Sequence, residues 1–127
     1  MAYGLINDII KKLGEFYNAV GSHYSATWKA ASTSAANTAL TNTMTLGPAG
    51  TYMITVTFPT TSAALPVKIN GIASGGYLWF HNGGDDVKTL IAVTTSDSVQ
   101  MYVRTYNSTS CTFSNTSRGK IEAIRIK

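Results

Sequence analysis

The chain has 127 residues and a formal charge of +4, with Asp, Glu, Lys and Arg making up only 13%, against about 25% in an average domain. That length suits one domain with its own core. A single cysteine, Cys111, excludes a disulfide framework or a thiolate metal site, and outside the C-terminal Arg118, Lys120, Arg125 and Lys127 the basic residues are too scattered to form the stripe that nucleic-acid binding needs.

Residues 4–21 read as an N-terminal amphipathic helix. Ile6, Ile9, Leu13, Phe16 and Val20 fall at spacings of three and four, and Leu5, Ile10 and Tyr17 widen the apolar face. Asp8 stands near the positive end of the helix dipole, and Gly21 and Ser22 supply a stop. About two heptads are too short to be stable alone in water. The helix must therefore lie on its own β domain or associate with copies of itself. Isoleucine at both core positions favours three or four strands over two, so the expectation is a trimerising stalk.

Residues 22–37 form a polar passage of small residues with a short strand near Trp28. From residue 38 to 127 the pattern is strands and turns, with no stretch of transmembrane length. "TALTNTMTL" (38–46) alternates, and "GPAG" (47–50) turns the chain. "TYMITVTF" (51–58) sets Tyr52, Ile54, Val56 and Phe58 on one face against threonines and Met53. "LPVKINGIA" (65–73) ends on an Asn-Gly turn or bulge signal. "GYLWFH" (76–81), "VKTLIAVTT" (87–95), "SVQMYVRTYN" (98–107), "CTF" (111–113) and "KIEAIRIK" (120–127) follow. Short strands at this spacing predict a mainly β fold, an antiparallel sandwich or jelly roll. The last strand is apolar on both sides, with Ile121 and Ala123 on one face and Ile124 and Ile126 beside Glu122 on the other. It should lie in the middle of a sheet, between its own core and a partner subunit.

Three stretches carry a family resemblance. "LGPAGTYMITVTF" resembles the glycine–x–tyrosine strand of the C1q/TNF-like jelly rolls. "TTSDSVQMYVRTYN" is similar to their polar turn and following Val–aromatic–Val strand, and "SRGKIEAIRIK" to their closing strand. The resemblance covers residues 38–127. It implies a homotrimer, of the kind found in phage fibre and receptor-binding heads and in bacterial spore-surface proteins. A short helix without a collagen repeat looks more like the phage version. The acidic calcium ligands of the vertebrate members have no counterpart in a matching spacing, so no metal or other cofactor is carried over.

"GGYLWFHNGGDD" (75–86) is the richest stretch for a ligand. Tyr77, Trp79 and His81 alternate along one face beside a glycine loop bearing Asn82, Asp85 and Asp86. Rings that stack on sugars, next to carboxylates that accept from hydroxyls, suit a host surface carbohydrate. The competing reading packs the rings in the core or a subunit interface and makes 82–86 a hairpin turn.

The acidic residues Asp8, Glu15, Asp85, Asp86, Asp97 and Glu122 are too few and dispersed for a catalytic pair, so no enzyme is expected. Asn107-Ser108-Thr109 and Asn115-Thr116-Ser117 match the glycosylation pattern but read as loops, because no secretory signal precedes them. A protein released by lysis would not need one. The sequence thus predicts a non-enzymatic, homotrimeric head of a phage tail or capsid fibre, located on the virion and contacting other virion proteins and a host glycan. It would neither insert into a membrane nor bind nucleic acid. Ile6, Ile9, Leu13, Phe16, Val20, Ile121 and Ala123 would hold the trimer together. The alternative is a purely structural trimer of a virion or spore coat, on a bacterial or spore surface in the latter case.

Overall fold

The computed structural model describes residues 4–11, 20–47, 49–72, 78–81, 86–95 and 99–127. A helix over 4–11 precedes β1 (His23–Thr27), β2 (Ser32–Thr33), β3 (Met44–Leu46), β4 (Gly50–Thr57), β5 (Thr60–Thr61) and β6 (Leu65–Asn70). Then come β7 (Leu78–Phe80), β8 (Val87–Thr94), β9 (Val99–Thr105), β10 (Cys111–Ser114), a single 3-10 turn (Thr116–Arg118) and β11 (Lys120–Arg125). One four-stranded sheet has the order β1-β11-β4-β8 and the other β3-β9-β6-β7, with a small sheet β2-β10-β5 beside them. Among the described residues every strand pair is antiparallel. Successive strands mostly alternate between the sheets, as in a β-sandwich jelly roll.

Period-two patterning builds the core. Tyr52, Ile54 and Val56 of β4 and Ile121 and Ala123 of β11 face inward from one sheet. Leu65, Val67 and Ile69 of β6, Phe80 of β7, and Met101 and Val103 of β9 face them from the other. Phe58 and Trp28 close one end together with Phe80 and Phe113. Phe58 stacks on Phe80 at 4.1 Å and meets Trp28 edge-on at 4.6 Å. Burial pushes the Tyr52 hydroxyl up from its ordinary pKa, and the charge of neighbouring Tyr24 adds to this; Arg125 pulls the other way, and a hydrogen bond with Tyr24 adds the smallest push upward. The Asn-Gly signal of residues 70–71 is a real turn. Gly71 has φ +101°, and a Cβ there would strike the backbone carbonyl of Gln100.

The passage 22–37, expected as a linker and first strand, carries β1, which pairs with β11 along its whole length, and β2, which pairs with β10, so both belong to the sandwich. Sequence patterning understated β1 because HYSAT has one buried residue, Ala26, and its pairing comes from a partner about a hundred residues away. Ile121 and Ala123, expected at a subunit interface, are wholly buried in their own subunit's core. β11 does lie mid-sheet, between β1 and β4. Its other face, turned away from the core, carries Glu122, Ile124 and, one residue beyond the strand, Ile126.

Candidate functional site

The outward face of the β1-β11-β4-β8 sheet follows from strand register. Across the four strands, one row reads His23, Ile124, Met53, Ile91 and the next Ser25, Glu122, Thr55, Thr89. A third row, Thr27, Lys120, Thr57 and Val87, lies beyond the polar one. On the other side of the apolar row, Thr51 pairs with Val93, and its carbonyl accepts from the Ile126 amide at 2.8 Å.

β8 creates the anomaly. It reads VKTLIAVT, with Ala92 and Thr94 buried and Leu90 packed on the core, yet Val87, Ile91 and Val93 among its outward residues are also apolar. Val87, Ile91 and Val93 are 50%, 58% and 67% exposed, and Ile126 is 45% exposed beside half-buried Met53 and Ile124. A contiguous apolar surface on a rigid sheet marks an interaction site far more often than chance exposure of single residues does. The neighbouring polar row is internally satisfied. The Thr55 and Thr89 hydroxyls lie 3.2 Å apart, and Glu122 sits 3.2 Å from Lys120 Nζ and 3.6 Å from His23 Nε2.

The edge of this face is pinned by the end of the chain. The Arg125 guanidinium donates to the Ala49 carbonyl at 3.1 Å, the Thr51 amide donates to Lys127 O at 2.9 Å and the Gly21 amide to Arg125 O at 2.7 Å. Residue 20, at the end of the predicted helix, therefore enters the sandwich beside the apolar rows. In the helix itself, every residue from 4 to 11 is exposed, including Ile6, Ile9, Leu5 and Ile10. These residues do not form a lid on their own β domain. Val20 is also exposed, while Leu13 and Phe16 lie outside the described residues.

The expected ligand residues are only partly brought together. Trp79 projects outward from β7 opposite Pro66 and is half exposed, while its neighbour Phe80 is sealed in the core. His81 is exposed just past the strand. Asp86 is turned back into the structure: its carboxylate accepts from the His81 amide at 3.3 Å and pairs with Lys88 Nζ at 3.5 Å. Tyr77, Asn82 and Asp85 lie outside the described residues. Among the described residues, no group of three or more His, Cys, Asp or Glu side chains converges to hold a metal. None of their helices is long and apolar enough to cross a membrane. Sequence reading missed Val87, Ile91 and Val93 as a surface, although their signal was present in a strand apolar on both faces.

No family model and no curated protein matches the chain. Solved structures do. The PRD1 vertex protein P5 superposes with a TM-score of 0.56 at 17% identity, over 85% of this chain and 99% of that one. The Eiger TNF from S. frugiperda superposes with a TM-score of 0.51 at 7% identity, over 85% and 94%. At these identities the likeness establishes the fold: a jelly roll of the kind shared by a phage vertex protein and a TNF.

Proposed function

We propose that the chain is a non-enzymatic structural subunit of a virion, assembled as a homotrimer through the outward face of the β1-β11-β4-β8 sheet. The observation that carries this reading is the exposed apolar block of Ile91, Val93 and Ile126, continuous with Met53 and Ile124, with exposed Val87 on the far side of the polar row. It lies across β8, β4 and β11 on the side of the sheet that the subunit's own core leaves uncovered. The exposed Ile6 and Ile9 of the N-terminal helix support a stalk built from the same association, since so short a helix needs tertiary partners. Likeness to a phage vertex protein over 99% of that protein's length supports a place on the virion surface among other virion proteins.

A second reading adds recognition of a host glycan to this structural role. The half-exposed Trp79, held on a strand rather than a loop, favours it.

Obligate assembly ties stability to concentration by mass action. The thermal midpoint should therefore rise as protein concentration is raised across the micromolar range. A midpoint independent of concentration would count against an obligate trimer.

A further inference from the structure

The outward face of the second large sheet has a different chemistry. Strand register places Trp79 of β7 opposite Pro66 of β6, whose carbonyl accepts from the Tyr106 amide at 3.0 Å, just beyond β9. Trp79 and Tyr106 are each about half exposed and flank the buried Pro66. They stand two interstrand spacings apart, about 10 Å at the backbone. In the next row Lys68 lies directly opposite Arg104, and in the one after that Asn70 lies opposite Tyr102, with Asn70 Nδ2 donating to the Tyr102 hydroxyl at 2.9 Å.

The Lys68–Arg104 pair is the odd element. Like charges directly opposite each other on antiparallel strands destabilise a sheet. Among the described residues neither cation has a carboxylate partner, and none of the four strands β3, β6, β7 and β9 contains Asp or Glu. The cations are held instead by rings: Lys68 Nζ lies 5.9 Å from the Tyr106 centroid and Arg104 Cζ lies 5.7 Å from that of Tyr102. A cation held over a ring keeps its charge available, whereas an ion pair would neutralise it. Of the guanidinium, Nη2 donates to the Asn37 carbonyl at 3.0 Å, while Nε is buried without an acceptor.

We infer that this face binds an acidic polysaccharide. The half-exposed rings stack on sugar faces, and the Lys68–Arg104 pair takes a carboxylate or phosphate that relieves its own repulsion. The inference rests on the glycan reading and deepens it by naming the charge class and moving the site from the 82–86 loop to the sheet. Two cations on a flat face favour a sugar over a nucleic acid, whose backbone needs a stripe of basic residues. Assembly through the opposite sheet would leave this face outermost on each subunit.

Biolayer interferometry with the full chain tests it on immobilised polygalacturonate, glycerol-phosphate teichoic acid, neutral dextran and oligo(dT). Binding to polygalacturonate or teichoic acid but not to dextran is expected, and which of the two binds identifies carboxylate or phosphate. Lys68→Gln should weaken that binding about tenfold or more, the loss of one charge-assisted contact. Trp79→Ala and Tyr106→Ala should do the same, and Trp79→Phe should retain most of it. Lys29→Gln, the same charge change at an exposed residue elsewhere, should leave binding unchanged. Failure to bind either acidic polymer, tighter binding to oligo(dT), or equal losses in Lys29→Gln and Lys68→Gln would overturn the inference. Mass measured on the same samples separates the two readings: a trimer that binds no acidic polymer defeats only this inference, and a monomer defeats only the assembly.

Discussion

An Ile91→Asp subunit should stay folded and lose its partners. Ile91 is 58% exposed in the single subunit, so its replacement removes little from the core, and substitutions at such positions usually change stability by no more than about 0.5 kcal/mol. In the assembly the same position lies in the apolar row with Met53 and Ile124. A carboxylate buried there without a partner costs several kcal/mol, and symmetry repeats the penalty in every subunit. At about 1.4 kcal/mol per factor of ten, association should weaken by several orders of magnitude. Sedimentation should report the chain mass while circular dichroism keeps its β signature. Unchanged sedimentation would place the interface elsewhere, and a lost β signature would show that Ile91 supports its own subunit.

Phe58→Ala should produce the largest loss within a single subunit. Phe58 is 1% exposed and stands where Trp28, Phe80 and Phe113 converge, with ring centroids 4.6, 4.1 and 5.7 Å away. Its truncation leaves a cavity walled by rigid rings that cannot collapse into it, and Phe→Ala changes in such sites cost about 3–5 kcal/mol. That is a large share of the 5–15 kcal/mol typical of a folded domain. Urea denaturation of Phe58→Ala in the Ile91→Asp background would read this loss without the contribution of assembly. A loss below about 1 kcal/mol would mean that the aromatic end of the sandwich repacks freely.

Much of the architecture was legible because it is written in alternation. Tyr52, Ile54, Val56 and Phe58 are all buried, as the threonine-separated pattern required, and the two-sided apolar character of the last strand correctly placed it mid-sheet. The short pieces were less legible. β2 and β5 are two residues each, so no period can show in them, and β1 is a strand chiefly because β11 offers it an edge. The site was harder to read for a related reason. Which of two apolar faces turns inward is decided by the rest of the sheet, so Ile121 and Ala123 looked as suitable for a partner as Ile124 and Ile126. The Lys68–Arg104 pair depends on register between strands more than thirty residues apart, which no local pattern encodes.

The central claim is that the β1-β11-β4-β8 face joins three copies of this chain, and solution mass tests it most directly. Multi-angle light scattering on the purified protein at micromolar concentration should give three times the 13.5 kDa chain mass. A mass equal to that of one chain would contradict the account, because the exposed Val87, Ile91 and Val93 would then be left without the partner that explains them.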